Sequence, residues 1–208
     1  MTLPEEYFDG LYAGSADPWG FASRWYEQRK RALTLAALPR ARYGIAFEPG
    51  CSIGVLTHEL AQRCDNLLAT DVSQAALDAA ARRLAGLTNV RLERRALADW
   101  PDGRFDLVVL SELLYYLGPA DLPRTAARAV ESVAEGGTLL AVHWRHLVAD
   151  YPTTGDDAQA ALAGAASAEG LVRTVEHLED DVALTVHVRP RDGQDPGRSS
   201  VAAEEGLC

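Results

Sequence analysis

The stretch Ala46-Phe47-Glu48-Pro49-Gly50-Cys51-Ser52-Ile53-Gly54-Val55-Leu56-Thr57 sets an acid and two glycines where an apolar run meets a helical pattern. A strand entering a tight turn that opens a helix brings backbone close to a ligand. Gly50 and Gly54 permit that approach, and the helix start offers unpaired amides through the Cys51-Ser52 region to a ligand's polar tail. A dinucleotide fingerprint would need glycines at 50, 52 and 55, but Ser52 and Val55 stand there, and the Gly-Lys-Ser/Thr ending of a phosphate loop is absent. Glu48 would repel a pyrophosphate and attract an ammonium group. A second acid, Asp71, closes the apolar run Leu67-Leu68-Ala69-Thr70, 23 residues after Glu48. At the tip of a second strand its carboxylate can accept both ribose hydroxyls of an adenosine ligand, with Val72 beside the base. The ordered pair of motifs predicts a nucleoside site.

Two further positions could handle a proton. Ser111-Glu112 follows one apolar run and His143-Trp144 ends another. Glu112 can accept a proton or orient an amine, and weighs evenly with an acid that satisfies the amides of the next loop. His143 titrates in the useful range and weighs evenly with a hydrogen-bonded structural histidine. Trp19, Tyr115 and Trp144 offer flat apolar faces of the kind on which sugar rings stack, whereas Tyr116 reads as core. Arg31, by helix phase, is the partner selected for a ligand carboxylate from the basic run 29–31, against solvated charge. Asp150, Asp156 and Asp157 fit a loop or helix cap, and no metal is expected.

These groups need a scaffold. Apolar runs at 45–48, 67–71, 90–97, 106–111 and 138–144 read as strands, separated by helical stretches at 54–64, 74–85 and 120–134. Such alternation predicts an α/β fold with a parallel sheet and helices on both faces. Ser73 and Pro119 suit helix starts, and Gly136-Gly137 a helix end. Leu171–Leu178 and Val182–Arg189 read as a closing antiparallel hairpin. Ahead of this domain (44–190), residues 1–43 read as an irregular aromatic arm, 1–22, and a helix near 24–38 whose inward positions include Trp25, Leu33 and Ala36; together they form a lid. Residues 191–208 carry Gly, Ser and charge without periodicity and are expected to be disordered.

Composition narrows the partners. The 208 residues are 48% hydrophobic and 24% charged, which suits one folded domain. A net charge of −10 argues against a broad nucleic-acid face. No apolar run is long enough to cross a bilayer, and Met1–Glu6 lacks the marks of a signal peptide. Three cysteines (51, 64 and 208) show no metal-ligand spacing; Cys64 reads as core on a helix, and a reduced cytoplasmic setting fits. A small-molecule partner is expected, without nucleic acid or membrane; the oligomeric state stays open.

The Glu48–Gly54 turn, Asp71, the strand Phe105–Leu110 and the final hairpin resemble the class I S-adenosylmethionine-dependent methyltransferases over residues 44–190, with Ser52 at the family's middle glycine. The resemblance implies a Rossmann-like, seven-stranded, mostly parallel sheet, S-adenosyl-L-methionine as cofactor, and Ala96-Leu97 at the adenine edge. It also implies acceptor-side polar groups at Ser111-Glu112. Tyr7-Phe8-Asp9, Asp17–Phe21, Arg24–Arg31, Ser111–Leu117 and His143-Trp144-Arg145 are similar to the nodulation protein S methyltransferases, which methylate the free amine of a chito-oligosaccharide intermediate. That similarity implies a saccharide acceptor and favours N-methylation. Sugar O-methylation with a His143 or Glu112 base and a non-catalytic cofactor-binding module are the alternatives.

Overall fold

A computed structural model of the chain describes residues 1–191, 201–204 and 206–207. Most of the tail expected at 191–208 lies outside the described residues. Seven strands form one sheet: β1 (Tyr43–Pro49), β2 (Cys64–Asp71), β3 (Val90–Arg94), β4 (Phe105–Ser111), β5 (Val133–Trp144), β6 (Val172–Leu178) and β7 (Val182–Val188). Their order is 3-2-1-4-5-7-6, and β7 runs antiparallel to both β5 and β6 while the remaining pairings are parallel. This is the seven-stranded α/β sheet with a C-terminal antiparallel hairpin that the resemblance implied.

Alternate residues of β4 divide the core. Val108 and Leu110 face a cluster completed by α5 (Leu122–Glu131) and α6 (Gly155–Ala168). Leu107 and Val109 face one that holds Leu56 and Leu60 of α3 (Val55–Ala61). Burial on both faces explains why Phe105–Leu110 is an unbroken apolar run apart from Asp106. Strand order reverses between β1 and β4, which opens a crevice at their carboxyl ends, where ligands bind in open α/β sheets.

Several local expectations change. The arm is not irregular throughout: Glu5–Gly14 form α1, with Glu5 and Glu6 in the first turn, where negative charge suits the helix dipole. Helix α2 (Trp25–Ala37) forms as expected but is rotated. Trp25 is 73% exposed and Ala36 is exposed, while Glu27, Lys30, Arg31 and Thr34 are buried. A helix that buries an ion-paired face defeats a reading based on apolar period. Cys64 is core, but it begins β2 rather than lying on a helix, because α3 stops at Ala61 and Tyr43 pairs with Cys64. Strand β3 ends at Arg94 instead of Leu97. Gly136-Gly137 lie within β5, so they bend a strand where a helix end was expected. Pro119 precedes α5, whose first turn carries Pro123 instead, and Ser73 makes no side-chain cap; its hydroxyl donates to Asp9 Oδ1 at 2.8 Å. Helix α6 was not anticipated. Its signal is Thr154-Gly155-Asp156-Asp157, a reciprocal capping box before an alanine-rich run.

Candidate active site

At the end of β1, Gly50 has φ +72°, and a Cβ there would lie 2.7 Å from Leu113 Cδ1, so only glycine fits. Gly54 has φ +74°, and its bare Cα lets α3 approach Ala80 of α4 (Gln74–Arg83). Ser52 lies between them at φ +51°, a region that costs a residue with a side chain about 1–3 kcal/mol. Two contacts hold it there. Its amide donates to Asp71 Oδ2 at 2.8 Å, and its hydroxyl shares a 2.5 Å hydrogen bond with Tyr12 of the arm. Asp71 Oδ1 accepts from the Ser73 amide at 3.0 Å. Burial pushes the Asp71 carboxyl up, against the pull of the Ser73, Ser52 and Val72 amides.

A cavity of about 660 Å³ lies in front of this turn, within the usual range for a small-molecule site. Of the residues selected from sequence, Gly50, Ser52, Asp71 and Val72 line its β1–β2 side, and Ala96 and Leu97 its β3 side. Ser111, Glu112 and Trp19 complete the set that the fold brings together. Phe8, Tyr12 and Phe21 of the arm also line it, as do Trp100, Leu113 and Tyr116. Tyr116, read as core, is buried and also walls the cavity. Phe8 and Tyr12, one helical turn apart in α1, reach the cavity only because the arm is helical, a period that its glycines obscure in the sequence.

Four positions behave differently from expectation. Arg31 does not line the cavity: its Nη1 donates to the Phe21 carbonyl at 2.6 Å and its Nε to Glu59 at 3.1 Å, so it ties the arm to α2 and α3. His143 is fully buried behind the wall; its Nε2 faces the Leu114 amide at 3.4 Å and its Nδ1 faces Gln159 Nε2 at 3.2 Å. Burial pushes its imidazole down to about 4, against the opposing charge of Glu112. Tyr115 is buried, stacked on Tyr151, and directs its hydroxyl onto Glu112 Oε2. Trp144 lies outside the cavity with its ring edge-on to Tyr26 at 5.2 Å, and its amide donates to Glu112 Oε2 at 3.0 Å.

Glu112 is the point on which these groups converge. It sits at φ +55°, immediately after β4, with Oε1 accepting from Lys30 at 2.8 Å and Oε2 from Tyr115 and Trp144. Burial opposes ionisation, but the Lys30 charge and hydrogen bond, with the Tyr115 bond, outweigh it and hold the carboxyl below the usual range. Glu112 is therefore a carboxylate at neutral pH, on the cavity wall.

Glu48 and Cys51 lie behind the turn, not on the cavity surface, as does Gly54. Burial pushes the Cys51 thiol well above its ordinary value. Glu48 is 2% exposed, its Oε2 has no hydrogen-bond partner, and burial, with Asp71 adding to it, pushes its carboxyl up to about 8 despite Thr57 beside it. A group that titrates near 4.5 unfolded and about 8 folded holds an extra proton in the fold across that window, so stability falls as pH rises, by roughly 1.4 kcal/mol per unit. Glu48→Gln is expected to match the parent near pH 4.5 and to melt higher at pH 8, as read by thermal unfolding.

Among the described residues no cluster of three or more His, Cys, Asp or Glu side chains is arranged to hold a metal ion, and no helix is long and apolar enough to cross a membrane.

A glycine turn, an acid at the second strand tip and a cavity at the sheet's switch point define an α/β protein that binds a nucleoside-type ligand. The sequence profile of a methyltransferase domain matches residues 46–137. A methyltransferase structure from Pseudomonas syringae is 45% identical, with a TM-score of 0.69, covering 80% of this chain and all of that one. Nodulation protein S of Rhizobium tropici is 30% identical over 127 residues, 60% of this chain and 53% of that protein, so the chain spans about half the length of the curated relatives it matches. The N-methyltransferase NodS from Bradyrhizobium japonicum WM9, in complex with S-adenosyl-L-homocysteine, shares the fold at 23% identity and a TM-score of 0.77, over 90% of this chain and 98% of that one. The chain belongs to the class I S-adenosylmethionine-dependent methyltransferases.

The site residues suit that family's cofactor. Gly50, Asp71, Val72, Ala96 and Leu97 all line the cavity, with the acid at the tip of β2 and the apolar side chains beside it.

Proposed function

We propose that this protein transfers the methyl group of S-adenosyl-L-methionine to the amine of a small saccharide acceptor. The observation that carries the reading is Glu112, an ionised carboxylate lining the cavity beside aromatic walls. The cofactor, when bound, supplies an electrophilic methyl group on a sulfonium. Asp71 accepts hydrogen bonds from ribose hydroxyls, and Val72, Ala96 and Leu97 enclose the adenine. Gly50, Ser52 and Ser111 line the remaining cofactor wall. An amine attacks only when neutral, so a protonated acceptor must shed one proton before attack, and the N-methylated product sheds another only after the N–C bond has formed. Glu112 takes that proton or orients the N–H, while Trp19, Phe21 and Tyr116 exclude water and offer faces for a sugar ring. Residues 1–43 act as a lid, since Phe8, Tyr12, Trp19 and Phe21 come from that segment.

The similarity to nodulation protein S supports the amine over a hydroxyl. The second reading is sugar O-methylation, and the same carboxylate supports it because a hydroxyl needs a general base. His143 carries the proton in neither: it is neutral, enclosed and bonded within the wall. His143→Gln is expected to leave the pH profile of kcat unchanged and to cost about 1–3 kcal/mol of stability.

The deciding experiment offers labelled S-adenosylmethionine with neutral sugars, free amino sugars and their N-acetyl forms. Label on free amines alone supports the proposal, and label on neutral or N-acetyl sugars moves the assignment to O-methylation. Cofactor binding without transfer to any acceptor class would leave a binding module.

A further inference from the structure

Lys30 is the chain's single lysine, against 19 arginines, and it is buried. Its ammonium lies between two carboxylates, 2.9 Å from Glu27 Oε2 and 2.8 Å from Glu112 Oε1, with all three side chains more than nine-tenths buried. The Tyr26 ring lies beneath it, 4.9 Å from Nζ to the centroid. Glu27 and Lys30 belong to α2, whereas Glu112 follows β4, so the cluster joins the lid helix to the acceptor side of the cavity.

We infer that Lys30 is the positioning residue for Glu112. The inference rests on the place of that carboxylate in the cavity wall and not on which acceptor it meets.

A carboxylate with almost no exposure loses its hydration and stays charged only if donors replace water. Glu112 obtains three, from Lys30, the Tyr115 hydroxyl and the Trp144 amide, and only Lys30 brings a full charge. The other titratable groups facing it supply no positive charge: His143 behind it, Tyr26, Tyr115 and Tyr116 at its sides, and across the ammonium Glu27, whose carboxyl burial pushes up against the pull of Lys30. Lys30 also fixes position. Its bond to Oε1 leaves that oxygen one further lone pair, while Tyr115 and Trp144 take both on Oε2.

The test compares wild type with K30M, K30R and the double variant E27Q/K30M, which removes the lysine but restores the wild-type cluster charge and so guards against misfolding. A carboxyl ¹³C titration, with the Glu112 signal assigned by its loss in E112Q, needs no acceptor. Glu112 is expected to titrate at least one unit higher in K30M and in E27Q/K30M, with K30R near wild type. With glucosamine as the acceptor probe, kcat/KM is expected to fall at least 30-fold in K30M, and its low-pH limb to move up, while the Kd for S-adenosylhomocysteine stays within threefold. A Glu112 titration unmoved in both lysine-lacking variants overturns the positioning role. If wild type labels a hydroxyl acceptor but not glucosamine, the variants are assayed on that acceptor, and the titration still decides the role of Lys30.

Discussion

Glu112→Gln is expected to lower kcat/KM for the acceptor by about 10²–10⁴-fold, the range for removing a positioned proton acceptor. The isosteric amide can keep the hydrogen bond from Lys30 on its oxygen, but its NH2 then faces the Tyr115 hydroxyl and the Trp144 amide without accepting from either, and it carries no charge. Cofactor affinity is expected to change less than threefold, because the turn and Asp71 are separate from this cluster. Steady-state kinetics with S-adenosylhomocysteine calorimetry separates the two quantities. Equal losses in binding and turnover would mean that Glu112 only supports the fold of the cavity wall. The acid side of the profile gives a second reading. Glu112 is held ionised below the ordinary carboxylate range, so its proton-accepting form persists at neutral pH and is lost only in acid.

Asp71→Ala is expected to weaken S-adenosylhomocysteine binding by about 2–4 kcal/mol, or 30- to 1000-fold in Kd. Two losses combine. The carboxylate oxygens that would meet the ribose hydroxyls disappear, and the Ser52 amide, 2.8 Å from Oδ2, is left unpaired. Ser52 occupies a left-handed conformation that this bond helps to maintain, so the turn relaxes as well. Asp71→Asn offers the diagnostic contrast. It preserves shape but turns one amide group toward an N–H of Ser52 or Ser73, so it should retain only part of the affinity. Unchanged affinity in the alanine variant would remove Asp71 from the cofactor site.

The cavity rim at the ends of β1 and β2 was largely legible because its determinants are local. A glycine at a required left-handed turn, an acid at a strand tip and the alternation of apolar runs are written within a few consecutive residues. The acceptor half was not. Glu112 was visible as a candidate, but its ionised state depends on Lys30, which is 82 positions away, and on Tyr115 and Trp144. His143, equally plausible as a base in a strand-end position, is enclosed by Leu114 and Gln159. Arg31 reaches Phe21 and Glu59 instead of a ligand because α2 turns its polar face inward.

The sequence by itself determined an α/β architecture with a parallel sheet and a glycine turn at its first strand, since strand period and glycine conformation act through neighbouring residues, while the seven-stranded form came with the family resemblance. Only the tertiary structure decided which titratable groups meet the cavity and in which charge state, because burial and ion pairing depend on residues brought together from α2, the loop after β4 and the end of β5.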